Sequence, residues 1–468
     1  MRRTAAHEDG SGDNTPKHLG WLMLTALGIG ATIGAGIFVM PGRIAEKAGP
    51  AGILSFMITG AVFLFVGICY ERFARKVPTG VSAYSYVYHS IGELFAWVVA
   101  FGLFLEYSFG ASAVAIGWSQ YLKKALDYQL PSWMMGPQLD ASGHMQFGIN
   151  VVALAVVTVV TLILIFGGVT KSAKLNFVLV CLKCGLLAVF MIAGLQHLHF
   201  EYWQPFMPKG FGGVMDAAAI AVFPYVGFDA LYTFARESKS VKDTRLSTYL
   251  CIGLVAFLYV AVMAIATALA PVFPNGPGAG VNTLFKGTEA SAPLASLLMA
   301  AGETWAGKLI AVGAVIGIFN VLLVLSMGGP RIFRNMAEDG LLPKIFARTH
   351  HGNPTLGVVL NGIVVGAMAG FVPFETVTDI MVLGTLVAFT FVCIGALRLK
   401  LVHWLVPVIG AIGCIALMTR LELLVLKVYC ITCPIGLLIY FGYGFWHSNL
   451  RRQSNGGSMK LEEQGVAR

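Results

Sequence analysis

The sequence predicts an all-α, polytopic membrane protein of twelve transmembrane helices, on two compositional observations and one pattern. Of its 468 residues, 57% are hydrophobic and only 12% are charged, where soluble domains run at about 45–50% and about 25%. Mean hydropathy is +0.76. So few charges cannot make a water-facing surface, and the deficit is spread along the whole chain. That excludes a soluble domain on an anchor, together with the fibrous, disordered and disulfide-stapled classes. The pattern is a recurrence of apolar stretches long enough to cross a ~30 Å hydrocarbon core, about 20 residues each. They fall at roughly 19–41, 51–71, 92–122, 148–167, 177–196, 213–235, 247–270, 306–330, 355–372, 376–397, 401–418 and 425–446.

Residues 1–18 are polar and carry no apolar h-region, so they read as a cytoplasmic tail rather than a cleaved signal. An even number of spans leaves both ends on one side, and the positive charges choose that side. Connectors from odd to even spans hold nine Lys and Arg, among them Arg43, Lys47, Lys123 and Lys124. The opposite side, with both tails, holds twenty-two, including Arg72, Arg75, Lys76, Lys171, Lys174, Arg331 and Arg334. Both termini are therefore expected in the cytoplasm, with the chain in the cell (inner or plasma) membrane. The net charge of +9 is a topology signal, since no basic face exists to lay on nucleic acid. The longest outer connector, 271–305, is rich in Gly and Pro and reads as a structured lid or loop. Nearly all eight cysteines sit within apolar runs. Cys181-x-x-Cys184 and Cys430-x-x-Cys433 have no histidine or carboxylate beside them, so they read as small hydrophobic filler. No cofactor or metal is expected.

Two spans depart from ordinary helices. The first contains Gly28-Ile29-Gly30-Ala31-Thr32-Ile33-Gly34-Ala35-Gly36, with four glycines. The sixth contains Phe223-Pro224-Tyr225-Val226-Gly227-Phe228-Asp229, with a proline, a glycine and a carboxylate at mid-membrane. In a helix interior Gly costs ~1 and Pro ~3 kcal/mol relative to Ala. From the glycines alone, unwinding and close packing through a Gly30/Gly34 pair are equally open. Position favours unwinding. Spans one and six open two five-span sets, and matched interruptions in two halves point to a transporter binding site. Five is odd, so the second set is inverted relative to the first. The expected organisation is a tail (1–18), a first repeat (19–200), an inverted second repeat (201–400), two further helices (401–446) and a second tail (447–468).

Each ionisable group inside a span needs a reason, because a charge at a helix centre costs ~2.5–3.5 kcal/mol even on insertion scales. Lys183 lies some 10 Å into span five at 1.5 Å per residue. It could snorkel back toward Lys171 and Lys174 or serve a buried site, and its own surroundings leave both open. Glu106 sits in FGLFLEYSFG, either as a protonated structural group or as a carboxylate facing a substrate or sharing protons. Asp229 is expected to hold the broken helix together through freed N–H groups. Asp379, at the start of span ten, reads as solvated.

Several motifs resemble one known family. GIGATIGAGIFVMPG (28–42), VPTGVSAYSYVYHSIGELFAW (77–97), GFDA (227–230), GGPRIFRNMAEDGLLP (328–343) and FGYGFWHSNL (441–450) look like the amino acid–polyamine–organocation superfamily. More narrowly they resemble bacterial members of its cationic amino acid transporter branch. The resemblance implies the LeuT-type fold, with ten core helices in two inverted repeats plus two more, and alternating access around a central amino acid site. By position it assigns substrate contacts to Thr32 and to Ile33, Gly34, Ala35 and Gly36, the backbone of the last four cradling the carboxylate. Phe223, Val226 and Gly227 would stand at the α-amino group, with the Phe223 ring as a gate. It places Glu106 at the site, and Leu322 where the substrate side chain is read. A large apolar residue there suits modest rather than bulky substrates. It also places Lys183 where sodium-coupled relatives hold sodium, so that its ammonium would bond freed carbonyls of span one and couple transport to protons. Tyr107, Ser108 and Asn320 are further candidates for the lining. Two departures bear on gate geometry: the run after GFDA lacks the family's Asn-Pro turn, and Pro224 replaces a small residue.

Elementary chemistry points the same way. Amides at a half-helix N-terminus favour an anion, freed carbonyls accept from an ammonium, and glycine admits a ligand to the backbone. The reading is a proton-coupled importer of small neutral or cationic L-amino acids, with an amino acid or amine exchanger as the alternative. An embedded enzyme would need acid, base or metal groups converging at depth, whereas nearly all histidines lie in tails or connectors. A channel would need a filter motif, and none is visible. The expected partners are the amino acid, protons and the lipid bilayer, with no nucleic acid.

Overall fold

The computed structural model describes residues 19–76, 82–139, 145–167, 173–233, 238–274, 281–285, 292–349 and 354–449. Lys171, residues 236–237 and most of both tails lie outside the described residues, as does the side chain of Lys174. Among the described residues the chain is helical apart from short loops and a two-residue hairpin that pairs Gln138 with Gln146 and Leu139 with Met145. Its helices are α1 (Trp21–Thr32), α2 (Ala35–Ala48), α3 (Gly52–Lys76), α4 (Ala83–Ser90), α5 (Glu93–Leu126) and α6 (Val151–Leu162). Then come α7 (Ala173–Gly194), α8 (Gly210–Ile220), α9 (Val222–Tyr225), α10 (Ala230–Thr233), α11 (Val241–Leu269) and α12 (Pro293–Ala300). The remainder are α13 (Thr304–Glu338), α14 (Thr355–Phe371), α15 (Phe374–Arg398), α16 (Leu405–Met418) and α17 (Leu423–Ile439), before a last turn at Phe445–His447.

Among the described residues, eight helical runs are long and apolar enough to cross a membrane: Ala35–Lys76, Glu93–Leu126, Val178–His197, Gly210–Tyr232, Val241–Leu269, Thr304–Glu338, Phe374–Arg398 and Leu423–His447. Four shorter apolar helices accompany them, at Trp21–Thr32, Val151–Phe166, Thr355–Phe371 and Leu405–Met418. The molecule is a multi-pass membrane protein. Large apolar side chains such as Phe257, Ile363, Leu438 and Trp446 point outward, where a bilayer rather than water would receive them.

Hydropathy misplaces some helix ends, for a physical reason. Span eight reads as stopping at 330, yet α13 continues to Glu338 through Pro330. Its polar last turns are supported by an Arg334–Glu338 pair at 2.7 Å, four residues apart. Lys123 and Lys124, read as connector residues, form the last turn of α5, where cations suit the helix dipole. Arg43 also reads as part of a connector but lies inside α2, buried. The Gly- and Pro-rich connector is structured where described. Phe285 is buried, Asn282 N–H donates to Val272 O at 2.9 Å, and α12 packs Leu294 and Leu297 inward.

The centre is built from α5 lying along α13 and α15, and from α11 lying along α3 and α1. A second set of contacts ties α3 to α8–α10. Ser55 and Thr59 of α3 donate to Val214 O (2.8 Å) and Ala218 O (2.7 Å) of α8. In return Tyr225 donates to Phe56 O at 2.9 Å and Tyr232 to Gly67 O at 2.8 Å. The Tyr225 hydroxyl fits a glycine notch, since a Cβ on Gly60 would lie 2.8 Å from it, whereas the gap at Gly67 is filled by Ile252, 2.6 Å from such a Cβ.

Candidate functional site: two interrupted helices

The first span is two helices. α1 has 12 residues and α2 has 14, about 18 and about 21 Å at 1.5 Å per residue, so each covers little more than half of a ~30 Å core. Between them Ile33 has φ −72°, ψ 88° and Gly34 has φ −120°, ψ −152°, which no helix contains. The sixth span breaks after Tyr225: Val226 has ψ 140°, Gly227 has φ +105°, and helix resumes at Ala230. Pro224 lies one residue before the end of the first half, which is itself interrupted at Ala221 between α8 and α9, and the turn begins at Val226.

The two breaks meet backbone to backbone. A Cβ on Gly36 would come within 2.4 Å of Pro224 Cα, and one on Gly227 within 2.5 Å of Ala31 O. Glycine is required on both sides of the contact, at Gly227 also because its φ is barred to most L-residues. Gly34 faces α13, where a Cβ would lie 3.2 Å from Val321, next to the buried Leu322. Ile33, Ala35, Phe223 and Val226 are all buried around this junction. Thr32 is buried too, and its hydroxyl donates back to Gly28 O at 2.8 Å, so this residue offers the junction its carbonyl rather than its side chain.

Irregular backbone at membrane depth is stable only where its polar groups find partners, and several side chains supply them. Lys183 is 1% exposed, and its Nζ donates to Gly30 O at 3.1 Å. That carbonyl would have bonded the amide of Gly34 had the helix continued. The Lys183 stem lies against Gly317 of α13, so the lysine is held between α13 and the first break and does not snorkel. Tyr259 of α11, which sequence reasoning missed, reaches Thr32 O at 3.1 Å and Pro224 O at 2.8 Å. It sits in an ordinary apolar run, FLYVAV, with no motif to mark it. Asp229 stands immediately before the restart of the sixth span, where the backbone amides of Asp229 and Ala230 act on its carboxyl group.

Glu106 is fully buried on α5, where Gly102 and Gly384 bring α5 and α15 into backbone contact. Neither of its oxygens has a hydrogen-bond partner among the described residues. The neighbouring Thr385 spends its own proton on Met381 O at 3.2 Å, and Asp229 is the carboxylate that acts on Glu106 electrostatically. The structure thus associates Glu106 with the sixth-span break. Ser108 and Tyr107 point elsewhere. Ser108 donates to Asn361 at 2.6 Å, Asn361 in turn bonds Ser326 O, and Tyr107 fills the notch at Gly328 of α13. Asn320 is half-buried.

Asp379 is not solvated. It is 2% exposed and pairs with the equally buried Arg43 at 3.0 Å, with Thr378 also accepting from Arg43. The pair joins α2, beyond the break, to α15. Hydropathy sets Arg43 in a connector and Asp379 at the solvated start of span ten, whereas each removes the other from solvent.

The chemistry available is therefore buried amides and carbonyls at the ends of two half-helices, one lysine at the first break, and a buried carboxyl group on α5 without a hydrogen-bond partner among the described residues. Residues 19–445 match the family model described as amino acid permease. The chain is 32% identical to the branched-chain amino acid permease BcaP of Bacillus subtilis, covering 94% of this chain and 96% of that one. It is 33% identical to the methylthioribose transporter of the same organism, over 92% and 94%. To the chloroplastic cationic amino acid transporter 9 of Arabidopsis thaliana it is 33% identical, over 73% of this chain and 58% of that one. A chain matched across this range, with its first and sixth spans broken face to face, belongs to the amino acid permease family and is a membrane transporter, not an enzyme.

Proposed function

We propose that this permease imports small neutral or cationic L-amino acids together with protons, by alternating access, across a cell membrane with both termini in the cytoplasm. In this reading residues 19–200 and 201–400 form two inverted five-helix repeats of the LeuT type, with two further spans after them. The amides of Gly34, Ala35 and Gly36 take the carboxylate. The carbonyls of Ile33, Phe223 and Val226 take the ammonium, Gly227 gives access to it, and Leu322 bounds the side chain. The Arg43–Asp379 pair closes the outer side.

One observation carries the proton coupling: the bond from Lys183 Nζ to Gly30 O. A charge-assisted bond is roughly twice as strong as a neutral one, so protonation tightens the hold of α7 on the first break and deprotonation loosens it. In proteoliposomes with an inward pH gradient, Lys183→Ala should lose accumulation of substrate while keeping counterflow. Accumulation at the wild-type level would refute the coupling role. Since a relative of equal similarity is named for a cargo that is not an amino acid, substrate is best read by binding. Purified protein screened by thermal shift against the twenty amino acids, common polyamines and methylthioribose should be stabilised by an α-amino acid, by RT ln(1 + [L]/Kd). Stabilisation by methylthioribose alone would overturn the substrate class.

A further inference from the structure

Tyr259 is fully buried, and its ring packs against Phe56 and Tyr225 with centroids 5.5 and 5.2 Å away. Its hydroxyl reaches carbonyls from both interruptions, Pro224 O at 2.8 Å and Thr32 O at 3.1 Å. Thr32 is the last residue of α1, and Pro224 lies one residue before the end of α9. Both carbonyls are therefore among those that a helix end leaves without an internal partner. One phenolic hydrogen serves the two of them, so the hydroxyl stays midway only while the two chain segments keep their present separation. Withdrawing either carbonyl turns a shared bond into a single one and leaves the other oxygen unsatisfied at membrane depth.

These carbonyls adjoin the groups proposed to read the two ends of the substrate. Thr32 precedes the carboxylate cradle, and Pro224 lies between Phe223 and Val226 at the ammonium. We propose that Tyr259 is a positioning residue that fixes the distance between the carboxylate and ammonium subsites, and thereby makes the site selective for α-amino acids over zwitterions with a longer spacing. The inference rests on the reading of the two breaks as the amino acid site. Its signature is specific. A residue that only stabilises the fold would weaken every ligand alike, whereas a spacer should matter to ligands whose charged ends match the spacing.

The test compares wild type with Tyr259→Phe, which keeps the ring and removes the hydroxyl. Binding and initial-rate uptake are measured for L-alanine, L-leucine and L-arginine, each beside its analogue with one extra methylene between carboxylate and ammonium. Loss of one net hydrogen bond corresponds to roughly a 3- to 10-fold change. The variant should bind the α-amino acids that wild type binds roughly 3- to 10-fold more weakly, as a raised KM with a smaller change in maximal rate. The longer analogues should change less than about 2-fold, within the spread of a site that never fitted them. The α-over-β preference thus falls. An unchanged preference, or an equal loss for both series, overturns the proposal and leaves the site reading standing. Wild type that binds none of the three α-amino acids overturns both. Should Tyr259→Phe fail to fold, 3-fluorotyrosine at position 259 keeps ring and hydroxyl while strengthening the donor. The preference should then rise, and no change would refute the idea.

Discussion

Gly227→Ala should abolish uptake in proteoliposomes, while Gly253→Ala leaves it intact. Both changes add one methyl to a glycine in the apolar part of the chain, so hydropathy and composition cannot distinguish them. Gly227 has φ +105°, and its new Cβ would lie 2.5 Å from Ala31 O. Carbon and oxygen at that separation are well inside the ~3.5 Å at which contacts become favourable, and the obstacle is backbone, which cannot rotate away. Relief requires the two breaks to part by about 1 Å, on top of about 1–3 kcal/mol for overpacking and further strain for the left-handed conformation. Gly36→Ala should behave similarly, since its Cβ would meet Pro224 Cα. Gly253 lies in α11 with open space around its missing Cβ. There Ala gains about 1 kcal/mol of helix propensity. Normal uptake by Gly227→Ala would mean that the two breaks do not need their present contact for transport.

Asp379→Asn should lower thermal stability in detergent sharply, and joint replacement of Arg43 and Asp379 by Met and Leu should recover most of the loss. Removing one partner of a buried pair leaves an uncompensated charge and costs about 3–5 kcal/mol, whereas replacing both with apolar residues is often neutral. Here the side chains of Arg43 and Asp379 are 7% and 2% exposed, and a surface pair would give only about 0–1 kcal/mol. The measurement is a double-mutant cycle on melting behaviour. Additive effects, with the double variant no better than the worse single one, would show that the two groups are not coupled. If the pair also closes the outer side, the single variant should expose Ile37 or Thr378, once replaced by cysteine, to an impermeant thiol reagent.

What could be read in one dimension was whatever violates the rules of the bilayer locally. Glycines, a proline and an acid within apolar runs mark both interruptions, because each is costly in a lipid-facing helix whatever its neighbours. Lys183 stands out for the same reason. What could not be read depends on partners distant in sequence. Tyr259 meets Thr32 and Pro224, 227 and 35 positions away, and a tyrosine in an apolar run breaks no rule. Arg43 and Asp379, 336 positions apart, each look like interfacial charges until the fold brings them together and dries them. Ser108 is a candidate for the lining that the sequence alone cannot place. A helix turns 100° per residue, and its hydroxyl serves Asn361 instead.

The tyrosine–glycine fit between α3 and the sixth span carries a consequence for descent. Gly60 and Tyr225 form a lock-and-key couple on one side of the break, while beyond it Tyr232 donates to Gly67 O, seven residues further along α3. Neither member of the couple can drift alone: a larger residue at 60 evicts the phenol at 225, and loss of the phenol leaves a hole at the glycine. Lineages that abandon one member are expected to abandon the other, so a broken helix and its straight companion inherit their changes as a unit.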